Sequence, residues 1–238
     1  MIDTILFDLD GTVLPLDADL FINIYFHEMG NAFSDIISPE ILYKYVWKST
    51  EAMVQNTGCR TNEEVFMEQF ASLVNEDIEI YKNRFDRFYD EGYMETKKSV
   101  ICESLIKESI MLLKEKGYQL VLATNPLFPK KAIHRRIEWA GLDPSVFSYI
   151  TSYEHCHYCK PHIKYYEEIL SVINKKSHQC LMVGNDVQED LIASSIGIQT
   201  FLILDYMINR TEEEINCTFQ GTYKDFHRYV ENLPQLNE

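Results

Sequence analysis

No stretch of 18 or more apolar residues occurs in this 238-residue chain, so nothing in it reads as a transmembrane helix. The N-terminus also lacks a basic region ahead of its short apolar run, the pattern a secretory leader needs, and a cytoplasmic location is expected. Basic residues are scarce: 22 Lys plus Arg stand against 37 Asp plus Glu, a formal net charge of −15, and the acids are spread along the chain. Nucleic acids and anionic membrane surfaces are bound mainly by clustered cations, so neither is an expected partner. If a substrate is anionic, its attraction must come locally, from a metal, a lysine or helix N-termini. There is no internal repeat or low-complexity tract, and 46% hydrophobic with 25% charged residues excludes a disordered chain.

Cysteine is sparse and irregularly placed, at 59, 102, 156, 159, 180 and 217, which without a leader suggests reduced thiols. The cluster His155-Cys156-His157-Tyr158-Cys159 has Cys-x-x-Cys spacing. Structural zinc normally needs a second such ligand pair, and neither another Cys-x-x-Cys nor a His-x3-His exists, so a loop of reduced thiols is expected.

What is present begins with residues 4–12, Thr-Ile-Leu-Phe-Asp-Leu-Asp-Gly-Thr. An apolar run ends in Asp8 and Asp10, followed by Gly11 and Thr12. Side chains two apart on a strand point the same way, so the two carboxylates lie close and repel. Such a pair calls for a cation, a shared proton or a ligand that brings one; hard oxygens suit Mg²⁺. Read alone, Asp-Gly is equally a hairpin turn. A calcium loop is excluded, because its sixth position requires Gly and here holds Val13.

Four further short apolar runs, 120–123, 149–152, 180–183 and 200–204, read as buried strands separated by helical segments. That alternation predicts a parallel sheet with crossover helices. Helices are expected over 129–140 and 187–196, each ended by a glycine, Gly141 and Gly197. Another should run from Pro161 to about Asn174, and Thr222 with Asp225 forms a capping box for a last one. Residues 16–97 have no strand-like run. Ser38-Pro39, the capping box Thr61/Glu64 and the apolar spacing of Ile78, Tyr81, Phe85 and Phe88 predict a bundle of about four helices inserted after the first strand, with that stripe as core.

Ligands of an open parallel sheet bind beyond the carboxyl ends of its strands. The residues expected there are Asp8 and Asp10, then Thr124 and Asn125, then Lys160-Pro161, then Gly184-Asn185-Asp186 with Asp190 four residues on. Individually these are turn, loop and cap residues. Together they provide the parts of a phosphoryl-transfer site.

In this order, Asp8-x-Asp10-Gly11-Thr12, Thr124, Lys160-Pro161 and Gly184-Asn185-Asp186-x3-Asp190 resemble the four motifs of the haloacid dehalogenase superfamily, most of whose members are phosphatases. The resemblance implies a Rossmann-like, doubly wound α/β core over 1–15 and 98–238, with a helical cap over 16–97. It implies that Asp8 attacks phosphorus and carries an aspartyl-phosphate, while Asp10 protonates the leaving oxygen and then activates water. Thr124 would bond the phosphoryl oxygens and Lys160 neutralise charge, held by Asp190. Amides near Leu9, Gly11, Thr12 and Asn125 would cradle the phosphate. Mg²⁺ would be held by the Asp8 carboxylate, the Asp10 carbonyl and the fourth motif. Dehalogenase members have no acid at the position of Asp10, which places this chain with the phosphatases. It departs from the family at Asn185, where an aspartate is usual, so either Asn185 or Asp186 would ligate the metal. The expected activity is a Mg²⁺-dependent phosphatase for a small phosphorylated metabolite. A phosphomutase with the same intermediate is the alternative enzyme, and a non-catalytic regulatory module the alternative of another class, to which Asn185 alone points.

Overall fold

Residues Thr4–Phe7 form β1, and all four are buried. Ile5 and Phe7 join one apolar cluster and Leu6 the other, as the two-residue period of a strand requires. A strand covered on both faces belongs in the middle of a parallel sheet. The computed structural model, which describes residues 1–211 and 214–236, bears this out. The other strands are β2 (Gln119–Leu122), β3 (Tyr149–Ile150), β4 (Cys180–Gly184), β5 (Gln199–Ile203) and β6 (Phe219–Gly221). They form one parallel sheet in the order β3-β2-β1-β4-β5-β6. The sixth strand was not expected. It is three residues long with two of them exposed, so no apolar run announces it, and it forms by pairing with β5.

Phe7 lies opposite Leu122 on one side and Val183 on the other. Asp8, Thr124 and Asn185 therefore leave the sheet at nearly the same height. The strand order reverses at β1, the topological switch point where a crevice opens.

Four helices follow β1: α1 (Ala18–Phe33), α2 (Pro39–Val54), α3 (Asn62–Ala71) and α4 (Ile78–Asp90), then a 3-10 helix, Gly92–Ser99. The Thr61/Glu64 capping box starts α3, and Pro39 sits in the first turn of α2. Aromatic rings fill the bundle: Phe85 packs 4.7 Å from Phe33 and 5.3 Å from Phe70, centroid to centroid. Tyr81, Phe85 and Phe88 are all buried.

Around the sheet lie α5 (Leu105–Glu115), α6 (Lys130–Trp139), α7 (Ile163–Val172) and α8 (Tyr223–Asn232). Ile106 and Ile110 of α5 and Phe226 and Val230 of α8 cover the Ile5/Phe7 face, while Tyr165, Tyr166 and Ile169 of α7 cover Leu6. Gly141 and Gly197 carry the left-handed turns, at φ 74° and 85°. Two helix expectations change. The segment after Pro161 becomes helical only at Ile163, because His162 caps it by accepting the Lys164 amide at 3.1 Å. Residues 187–196 make a turn and a 3-10 helix, Leu191–Ile196, in place of a full α-helix. There the Asp186 carboxylate accepts the amides of Gln188 and Glu189, and the Asp190 carboxylate folds back onto the Asp186 amide.

The cysteine loop docks the helical bundle. The Asn62 amide donates to the Cys156 carbonyl at 2.8 Å, the Asn56 side chain donates to the His157 carbonyl at 2.8 Å, and the Cys159 thiol points to the Met53 carbonyl. His157 is held by Glu168. Among the described residues, no helix is long and apolar enough to cross a membrane.

Candidate active site

The end of β1 delivers Asp8, whose amide is fixed by the Val183 carbonyl at 2.9 Å. Lys160, fully buried in the loop before α7, bridges Asp8 at 2.8 Å and Asp190 at 2.7 Å. Burial opposes its charge, but Asp190 and Asp8 hold the ammonium well above its usual pKa. Burial is also the largest influence on Asp8 and pushes its carboxyl up to about 8, against the pull of Lys160. One Asp8 oxygen, Oδ1, takes the lysine; among the described residues none donates to Oδ2.

Two glycines are required by close approach. A side chain on Gly184 would collide with the Asp190 carboxylate, and Gly11, at φ 80°, lies against the Asn185 amide. Asn185 is buried with both ends of its amide engaged: Oδ1 accepts from the Thr12 hydroxyl at 3.0 Å, and Nδ2 donates to the Tyr206 carbonyl at 2.7 Å. Asp186 lines the cleft and pairs with Arg210 at 2.6 Å.

The turn after β1 uses two of its amides internally. Gly11 donates to Leu14 and Thr12 to Leu9, so neither amide is turned toward a phosphate. Thr124 is held by its carbonyl, which accepts from Thr151 at 2.7 Å and Tyr165 at 2.8 Å, leaving its hydroxyl toward the cleft. The Asn125 side chain accepts the Lys160 amide and donates to Glu189. A cavity of about 160 Å³ is lined by Asp8, Asp10, Thr124, Asn125, Asn185 and Asp186 among others, so six of the residues expected from the sequence converge there, with Lys160 and Asp190 beneath Asp8, while Leu9, Gly11 and Thr12 are not on its wall.

Three side chains at the site escaped the sequence reading. Arg136 on α6 is fully buried and pairs with Asp10 Oδ2. Its guanidinium lies 4.5 Å from the Phe128 ring centroid and 5.9 Å from that of Phe21. The signal was available: Ala132, Ile133, Arg136 and Ile137 share the apolar stripe of α6, and an arginine there must find a buried partner. Arg210 and Glu189 sit in loops, where no periodicity marks them.

Asp8, Asp10, Asp186, Glu189 and Asp190 face Lys160, Arg136 and Arg210, so five acids meet three cations. Asp10 Oδ1 is buried without a partner among the described residues. Among the described residues no three acidic, histidine or cysteine side chains gather closely enough to hold a metal by themselves, so these hard oxygens suit a divalent cation that also takes backbone carbonyl, water or substrate oxygens.

A family model described as haloacid dehalogenase-like hydrolase matches residues 2–194. A pyrophosphatase, PpaX, of Bacillus mycoides (strain KBAB4) is 22% identical over 202 residues, covering 85% of this chain and 83% of that protein. A predicted phosphoglycolate phosphatase from Haemophilus somnus 129pt superposes with a TM-score of 0.59 at 18% identity, covering 96% of this chain and 98% of the other. The L-2-haloacid dehalogenase of Xanthobacter autotrophicus superposes with the same TM-score, 0.59, at 14% identity over 98% of this chain and 100% of its own. At such identities the structural likeness establishes the fold alone, shared by phosphatase and dehalogenase alike. With the model spanning most of its length, this chain belongs to the haloacid dehalogenase-like hydrolases.

Proposed function

We propose that this hydrolase is a Mg²⁺-dependent phosphatase that cleaves a small phosphomonoester through an aspartyl-phosphate on Asp8. The observation that carries the reading is the cleft lined by both Asp8 and Asp10, in which, among the described residues, neither Asp8 Oδ2 nor Asp10 Oδ1 has a hydrogen-bond partner. Asp8 Oδ2 attacks phosphorus while the bond to the leaving oxygen breaks, and Asp10 gives that oxygen its proton. Water then attacks the phosphorus of the acyl phosphate, Asp10 takes the proton, and inorganic phosphate leaves with Asp8 restored. Lys160 offsets charge on Asp8 and the phosphoryl group. The Thr124 hydroxyl and the amides of Leu9, Asp10 and Asn125 serve as donors to the phosphoryl oxygens.

Mg²⁺ would be held by the Asp8 carboxylate, the Asp10 carbonyl and Asp186, and when bound it supplies charge neutralisation between carboxylate and phosphoryl oxygens. Asp186 is favoured over Asn185 on charge: both side chains already have partners, but a carboxylate keeps lone pairs and negative charge for a cation, whereas Asn185 offers one neutral amide oxygen that is turned onto the Thr12 hydroxyl. Residues 16–97 act as a cap over the core formed by 1–15 and 98–238. Asp10 supports phosphatase over dehalogenase chemistry, since an ester formed by halide loss needs no acid for its leaving group. The phosphatase names of the relatives support the same reaction class. The test is phosphate release from 4-nitrophenyl phosphate with Mg²⁺. Activity should disappear with chelator and in Asp8→Asn; turnover persisting in that variant defeats the assignment.

A further inference from the structure

Resting on the phosphatase reading, a second and larger cavity narrows the substrate class. It has a volume of about 410 Å³ and lies where α1 to α4 face the loop after β2. It shares Asp10, Leu127, Phe128 and Arg210 with the smaller cavity that holds Asp8 and Thr124. A phosphomonoester with its phosphoryl group at Asp8 and its bridging oxygen at Asp10 therefore points its leaving group into this larger chamber.

The walls are apolar. Phe21 and Phe26 come from α1, Trp47 from α2, Met67 from α3 and Phe85 from α4, and Phe128 closes the core side. Tyr25 and Tyr89 also line it, but their hydroxyls bond to each other at 2.9 Å. Among the described residues, Asp10 and Arg210 are the charged side chains on its wall, and Arg210 is already paired with Asp186. A second phosphate or a carboxylate in the chamber, which opens to solvent at Trp47 and Ile22, would lose part of its hydration among aromatic rings and would have to draw Arg210 away from Asp186 to find a cation. A ring system would meet edges and faces of the kind aromatic groups pack against, with flexible Met67 filling the remainder.

We infer that this chamber binds the leaving group of the substrate and selects an uncharged, predominantly aromatic alcohol of one or two rings over phosphorylated or carboxylated ones. This sets the chain apart from the pyrophosphate named for its relative.

The test compares kcat/KM, with Mg²⁺ present, for 1-naphthyl phosphate, phenyl phosphate, phosphoglycolate and pyrophosphate, alongside calorimetric binding of 1-naphthol. Burying one to two rings should favour the naphthyl ester over phosphoglycolate by on the order of a hundredfold. In Met67→Trp, which fills the chamber, the naphthyl ester should lose about tenfold more kcat/KM than the phenyl ester, and 1-naphthol binding should weaken in parallel. Preference for pyrophosphate or phosphoglycolate, or no binding of 1-naphthol to the unmodified protein, overturns the chamber assignment while leaving the phosphatase intact. No turnover of any of the four overturns the phosphatase reading and the leaving-group role together.

Discussion

The guanidinium of Arg136 is buried beneath Asp10, ion-paired through the Asp10 Oδ2 oxygen and resting on the ring of Phe128. Its Nε and Nη2 have no partner among the described residues, so Asp10 is the group that answers its charge. The pair fixes one Asp10 oxygen and leaves the other for chemistry.

Removing the acid therefore affects more than catalysis. Asp10→Asn should abolish turnover and also destabilise the fold by about 1–3 kcal/mol, because a buried cation loses its counter-ion. For a chain of this length that is a fall in melting temperature of roughly 2–10 °C. Arg136→Met in the Asp10→Asn background should recover most of it; thermal unfolding of the single and double variants checks this.

Lys160 bridges two carboxylates that would otherwise repel each other. In Lys160→Ala, Asp8 and Asp190 are left without the buried ammonium they share. Destabilisation of about 3–5 kcal/mol is expected, together with loss of turnover. Denaturant unfolding measures the first and phosphate release the second.

The two candidates in the fourth motif separate by metal affinity. Mg²⁺ binding measured by calorimetry should weaken tenfold or more in Asp186→Asn, which removes a carboxylate facing the cleft. Asn185→Ala should keep affinity within about threefold yet lose about 1–3 kcal/mol of stability, since Thr12 and Tyr206 lose their buried partner. The reverse pattern would assign the ligand to Asn185.

Thiol chemistry should follow burial. Cys59 and Cys102 are exposed, whereas burial pushes the thiol of Cys156 up to about 12 and that of Cys159 higher still. A raised pKa leaves almost no thiolate at neutral pH, and the thiolate is the nucleophile. Iodoacetamide at pH 7.5 should label the exposed Cys59 and Cys102 first and reach Cys156 and Cys159 only on unfolding. Peptide mass spectrometry reads the order.

The helical bundle depends on its aromatic centre. Phe70 is fully buried between Phe66, Tyr81 and Phe85. Phe70→Ala should cost about 3–5 kcal/mol by lost burial and a residual cavity. Chemical denaturation checks the value.

The sequence by itself determined the parallel α/β core and the order of the residues that line the cleft, because hydrophobic period, capping boxes and terminal glycines are local signals. Asp8, Thr124, Lys160 and Asp190 were legible as polar groups following apolar runs. The tertiary structure alone decided how those groups are used. It engaged both ends of the Asn185 amide, turned the Gly11 and Thr12 amides inward, shortened the helix after Asp186 and added β6, a strand that exists only by pairing. It also brought Arg136 under Asp10 and lined a largely apolar cavity beside it. Arg136 with Asp10 and Asn185 with Thr12 are more than a hundred positions apart, and only packing decides which distant group a buried polar group meets.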